Sequence, residues 1–244
     1  MREMSRDAIQ PLAPDAPYDA PPSYDTIAPH ALPVSYPPPA SIPGAVQAKG
    51  VPPGLEPLIQ VAQLSIQEKF SVAQGMRRSF DVVDSAGRRI FQVTQRVEYC
   101  VPVHHTEIRD NSSRLAMKLV QDTCCTCTTQ TQVFGRGRLL GYVKLHTSSA
   151  ITHLSVLTAA AELVLIIVGP SFQSSIFGNA SYEVKSRDEQ HVVGVIRREN
   201  EHFLVSFPVD LDVVVKALLL GGCFYLDSLI TSTRAQLLNR TSSD

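Results

Sequence analysis

The stretch VDLDVVVKALLLGGCFYLDSLI, residues 209–230, decides the fold. From Val213 to Leu226 its apolar residues cover every face of a helix. A helix that is apolar all round is buried, either in a protein core or in a bilayer. A membrane span needs ~20 apolar residues in a row. Here Lys216 and Asp227 leave only residues 217–226 uncharged between them. A Lys or Asp at mid-membrane costs about 2.5–3.5 kcal/mol on insertion scales. Length and flanking charge therefore predict a core helix over about 211–228, with a single-pass span over 213–230 as the alternative. A core helix of this kind needs a wall on all sides, and a closed antiparallel barrel supplies one. Gly221 and Gly222 lower its helix propensity but let strands approach closely.

Upstream residues can build that wall. Runs 79–83 and 88–94 are β-rich and flank the turn sequence Asp84-Ser85-Ala86-Gly87. Runs 105–109 and 114–120 flank Asp110-Asn111-Ser112-Ser113, and runs 132–134 and 139–146 flank Gly135-Arg136-Gly137. Two more pairs fall at 151–157 with 163–168 and at 182–186 with 191–197. Phe203, Val205 and Phe207 alternate with other residues as a further strand, and residues 55–66 read as a helix or an opening strand. Hairpin follows hairpin with no βα alternation, which is the plan of an antiparallel, mainly β domain of about a dozen strands.

The N-terminal part is different. Thirteen of the 17 prolines lie in residues 1–53. Proline breaks helices and cannot donate to a β-ladder. The chain therefore divides into a disordered, proline-rich tail over 1–53 and one domain over 54–232. Within the tail, Pro21-Pro22-Ser23-Tyr24 is a PPxY sequence, and Pro11 to Pro14 and Pro14 to Pro17 fit PxxP. A preformed polyproline conformation lowers the entropy cost of docking in a WW or SH3 groove. Pro21, Pro22 and Tyr24 are thus candidate WW-binding residues, against a plain linker. The 22 basic and 23 acidic residues give a net charge of −1, which removes the electrostatic basis for a dedicated nucleic-acid binder. Five cysteines are too few for a disulfide scaffold. The N-terminal region holds no apolar signal-peptide core, so a cytosolic start with reduced thiols is expected.

Residues 182–190 (YEVKSRDEQ), 193–196 (VGVI), 203–213 (FLVSFPVDLDV) and 215–221 (VKALLLG) together resemble the phospholipid scramblase family. Gly54-Leu55-Glu56 resembles the start of its domain, and the proline-rich tail also fits. The resemblance covers residues 54 to about 230 and implies a tubby-like fold, a twelve-stranded closed barrel around a buried hydrophobic C-terminal helix. It also implies ATP-independent, Ca²⁺-stimulated, bidirectional movement of phospholipids across a membrane, by a non-enzymatic protein on the cytosolic face.

Two candidate sites follow from it. Cys124, Cys125 and Cys127 occupy the place of the family's acylated segment. Two palmitate chains matter because a single acyl chain gives only marginal membrane binding. Free thiols are the alternative, as is a metal site joined by Cys100, His104 and His105, although the sequence holds no second cysteine knuckle to complete a zinc site. The family's Ca²⁺ segment corresponds to residues 199–210, with Glu199, Glu201, Phe203, Val205, Phe207 and Asp210 as the ligand positions. Calcium takes six to eight oxygens in a curled loop. Phe203, Val205 and Phe207 at period two read equally as one face of a strand. Paired arginines at 77–78, 88–89, 136 with 138, and 197–198 are either hairpin-end charge or an aid to membrane attachment. No GxSxG, HExxH or P-loop occurs, so no catalytic residues are expected. The rival to lipid scrambling is an acyl-anchored adaptor that recruits WW- or SH3-domain partners through the tail.

Overall fold

The computed structural model describes residues 50–69, 77–97, 104–122, 130–147, 150–176, 178–199 and 202–241. The tail residues Pro21, Pro22 and Tyr24 lie outside them, as do Cys100, Cys124, Cys125, Cys127, Asn200 and Glu201. After a short 3-10 turn at Glu56–Leu58, twelve strands follow in order. They are β1 (Gln63–Lys69), β2 (Arg77–Asp84), β3 (Arg89–Val97), β4 (His104–Arg109), β5 (Leu115–Asp122) and β6 (Gln130–Gly135). Then come β7 (Arg138–Leu145), β8 (Thr152–Thr158), β9 (Leu163–Gly169), β10 (Ala180–Ser186), β11 (Val192–Glu199) and β12 (His202–Ser206). A one-turn helix α1 (Phe172–Ser175) precedes β10, and α2 (Val213–Thr241) closes the chain. Each strand pairs antiparallel with the next, and β12 pairs back onto β1. The barrel is closed, as the helix at 209–230 required. Residues 55–66 resolve into the 3-10 turn followed by the start of β1.

Local chemistry sets the hairpins. Asp84 Oδ1 accepts the backbone N–H of Ala86 and of Arg88, both at 2.9 Å, and its other oxygen accepts from the Arg88 guanidinium. Asp110 repeats this with Ser112, Arg114 and the Arg114 guanidinium. Asx-type bonds of this kind pin a turn before long-range pairing begins. The β6–β7 connection is only Arg136 and Gly137, both at positive φ (45° and 85°), as a two-residue hairpin of primed type demands.

Alternation then sends one face of every strand inward. Leu64, Phe80, Val82, Phe91, Val93, Ile108, Met117, Leu119, Val133, Val143, Leu154, Val156, Ile167, Val184, Ile196 and Val205 are all buried. They close on Ala217–Leu220 and Cys223–Leu226 of α2. A Cβ on Gly221 would come within 2.9 Å of Val133, and one on Gly222 within 3.0 Å of Ile167. The two glycines are therefore places where wall and helix approach closely.

The helix enters where β1 begins and leaves at the opposite end. Asp212 caps its start, accepting from the backbone of Val214 (2.8 Å) and Val215 (3.2 Å). It is longer than the expected 211–228, continuing to Thr241. Leu229 and Leu237 still pack on the core, and the hydroxyls of Ser232 and Thr233 donate back to the Leu229 carbonyl. Polar composition alone conceals that continuation. At ~1.5 Å per residue the helix outruns the barrel, whose strands rise ~3.4 Å per residue over five to nine residues.

Candidate functional site

The enclosed part of α2 is fastened at each end by a buried charge. At the entry end Lys216 is fully buried. Its ammonium donates to the carbonyls of Leu58 (3.0 Å), Ile59 (3.0 Å), Val61 (2.9 Å) and Val209 (2.6 Å). The Phe207 ring lies 5.5 Å away. An ammonium has three protons, so four oxygens form a cage around a shared cation. Burial pushes the Lys216 pKa down, and the charges of Asp210 and Asp212 push it back up. The cage ties the helix to the 3-10 turn and to the β12–α2 connection, two segments far apart in sequence.

At the exit end Asp227 faces Arg78 of β2. The guanidinium reaches Asp227 at 2.5 Å and Glu68 of β1 at 2.7 Å, and lies over the Phe80 ring at 4.9 Å. Burial raises the Asp227 pKa, while Arg78 opposes the rise. Around this bridge the barrel interior turns polar. Gln95, Thr106, Gln121, Thr131 and Ser228 are all buried there, and Gln121 accepts from the Ser228 hydroxyl at 3.4 Å. Arg198 also points inward and donates to the carbonyl of Ser175 at 2.8 Å. Tyr182 donates to the Ser175 hydroxyl at 3.0 Å. Arg78 and Arg198, read from sequence as hairpin-end or membrane-facing charge, instead make these inward bonds, whereas Glu68 and the cage around Lys216 were not singled out from sequence. The available signal was the charge on either side of an apolar helix, since a buried charge demands partners.

The residues of the Ca²⁺ segment take divergent places. Glu199 ends β11, exposed, and pairs with His202 of β12. Phe203, Val205 and Phe207 point into the core, with at most 5% exposure. The β12 backbone is bonded on both sides, to β1 and to β11. Asp210 follows the strand, at the opposite end of the barrel from Glu199. A five-residue strand of ~17 Å separates those two carboxylates. Among the described residues no group of three or more His, Cys, Asp or Glu side chains is arranged to hold a metal ion. The thiols at 124, 125 and 127 belong to the connection between β5, which ends at Asp122, and β6, which begins at Gln130. The described ends of those two strands, Asp122 and Gln130, pair with each other at the helix exit end.

Comparison with known proteins adds a family. The model of the Scramblase family matches residues 42–232. Phospholipid scramblase 2 of Bos taurus is 28% identical over 216 residues, covering 76% of this chain and 74% of that protein. Phospholipid scramblase 1 of Homo sapiens is 28% identical over 206 residues, 72% of this chain and 65% of its own length. Phospholipid scramblase family member 5 of Homo sapiens is 28% identical over 208 residues, 72% of this chain and 76% of that protein.

Proposed function

The chain belongs to the scramblase family, and from that premise we propose that it moves phospholipids between the leaflets of a membrane. The observation that carries this reading is the match over residues 42–232, which takes in the whole barrel and the enclosed part of α2. The relatives' names supply the substrate class. Residues 213–237 are long and apolar enough to cross a membrane, although most of that stretch is buried in the barrel.

The finer reading is bidirectional, ATP-independent movement stimulated by Ca²⁺. Its acidic groups are Glu199, Glu201 and Asp210. Palmitate on Cys124, Cys125 and Cys127 would hold the exit end against a cytosolic leaflet, because two or more chains give stable attachment where one does not.

The test is lipid flux in liposomes. Purified full-length chain is reconstituted with a headgroup-labelled lipid, and outer-leaflet quenching is followed with and without millimolar Ca²⁺. Quenching that passes the outer-leaflet half only with Ca²⁺ supports the full reading. Flux without Ca²⁺ keeps the activity and removes the role of Glu199, Glu201 and Asp210. Quenching that stops at half in both conditions overturns scrambling.

The seating of α2 favours a second reading in that last case. A helix walled on every side and fastened at Lys216 and Asp227 offers lipid no polar path through the barrel. The chain would then be an acyl-anchored adaptor, with Pro21, Pro22 and Tyr24 as the ligand for a WW-domain partner. Loss of partner capture on Tyr24→Ala, with capture intact in the parent chain, supports it.

A further inference from the structure

The outward face of β3, β4 and β5 carries a charge cluster that the core does not use. Strand register assembles it. Arg96 pairs with His105 and Thr94 with Glu107 across β3 and β4, and Glu107 pairs with Lys118 across β4 and β5. These five residues line a cleft of about 130 Å³. A water's share of the liquid is ~30 Å³, so the cleft has room for about four waters or one tetrahedral oxyanion.

Its electrostatics favour the oxyanion. The Glu107 carboxylate accepts from Arg109 at 2.8 Å. That bond, with the charges of Arg109, Arg96 and Lys118, holds its carboxyl below the usual range. Three cations, Arg96, Arg109 and Lys118, stand against the one Glu107 carboxylate. Neither Arg96 nor Lys118 has a hydrogen-bond or ion-pair partner among the described residues. The His105 Nδ1 is buried and likewise without a partner among the described residues. Two cations without a bonded partner among the described residues and a buried ring nitrogen without one therefore line one cleft. Charge-assisted bonds to phosphate oxygens are about twice as strong as neutral ones.

We propose that Arg96, His105 and Lys118 form a binding site for a phosphate group. The Thr94 hydroxyl is a further donor, and Glu107 spaces the cations while Arg109 holds it in place. Arg96 lies one residue from the end of β3, at the end of the barrel where α2 leaves. A membrane at that end would present lipid headgroup phosphates to the cleft. Only this choice of source rests on the membrane reading above. The phosphate site itself stands without flux, Ca²⁺ or acylation.

The test uses unacylated full-length chain. Binding is measured to vesicles of phosphatidylcholine alone and of phosphatidylcholine with phosphatidic acid. Inorganic phosphate is titrated separately, with the His105 imidazole resonances as the readout. The double variant Arg96→Gln with Lys118→Gln is compared with Arg138→Gln with Arg187→Gln, two exposed arginines at the other end. Each basic residue near an anionic leaflet contributes roughly fivefold, so the first pair is expected to lose tenfold or more on phosphatidic acid vesicles and the second little. That result supports the site with lipid as the source. A phosphate-dependent shift of His105, abolished in the first pair, with vesicle binding equal in all variants, supports it with a free phosphate as the source. Equal losses in both pairs, or no response of His105 and none of the vesicles, overturns it. A folded reading for each variant is secured by an unchanged urea midpoint.

Discussion

At the scale of single residues, two side chains show how buried charge is made tolerable. Lys216 has its cation shared among four carbonyls, which would be costly to leave without a donor. An unsatisfied buried acceptor costs ~1–3 kcal/mol. Lys216→Met keeps the apolar stem and removes the donor from all four. It is expected to destabilise the barrel by about 3 kcal/mol or more. A urea titration checks this, with a lowered midpoint at unchanged slope. Lys216→Arg is expected to fail as well, because a planar fork of five donors does not fit a cage shaped for a compact ammonium. Asp227 and Arg78 are harder to read as stability. Replacing a whole buried bridge by apolar groups is often neutral, whereas removing one partner strands the other. Arg78 keeps Glu68 when Asp227 is lost, so Asp227→Asn is expected to cost less than Lys216→Met in the same titration.

At the scale of elements, the hairpin tips carry the fold's local instructions. Burial apart, Asp84 and Asp110 are held below their ordinary 3.8 mainly by the backbone N–H groups of Arg88 and Arg114 respectively. A depressed folded pKa contributes stability that is present above 3.8 and lost as pH falls through the folded value. Asp84→Asn and Asp110→Asn are therefore expected to flatten the fall in stability below about pH 4, measured as thermal midpoint against pH. At the β8–β9 tip Ala161 sits at φ 60°, where an L-residue is strained by about 1–2 kcal/mol. Ala161→Gly is expected to raise stability by roughly 0.5 kcal/mol after the entropic cost of glycine. Such tips were legible in sequence because turn residues and alternation are both local. The wall and the enclosed helix were legible for the same reason, through Lys216 and Asp227 bracketing a run that is apolar on every face. The extension of α2 past residue 228 was not, because Leu229 and Leu237 find their contacts only in three dimensions. The cleft at Arg96, His105, Glu107 and Lys118 was hidden too. Its members lie on three strands, and their meeting depends on a register that shifts at Ile108/Arg109.

At the scale of the whole molecule, the question is whether α2 ever leaves the barrel. Its composition permits a bilayer, but its surroundings argue against departure. Withdrawal would expose the inward side chains of the strands, each contributing ~1.5–3 kcal/mol on burial. A dozen of them amount to roughly 20–35 kcal/mol, more than the ~5–15 kcal/mol that holds a domain folded. The bilayer would regain the apolar burial of the helix but not of the wall. It would also receive Lys216 and Asp227 at about 2.5–3.5 kcal/mol each. The helix is therefore expected to stay seated at a membrane, which would leave any lipid path to the outside of the barrel. Cys223 reports on this directly. It is fully buried on α2, and burial pushes its thiol far above the ordinary value. In a chain with Cys100, Cys124, Cys125 and Cys127 replaced by Ser, Cys223 is expected to resist a water-soluble maleimide equally with and without vesicles and Ca²⁺, and to react fully in urea. Lipid flux at unchanged protection would place the path on the outer wall. Labelling that rises with vesicles in step with flux would mean that the barrel opens, and that the magnitudes set against withdrawal have been overcome by the membrane.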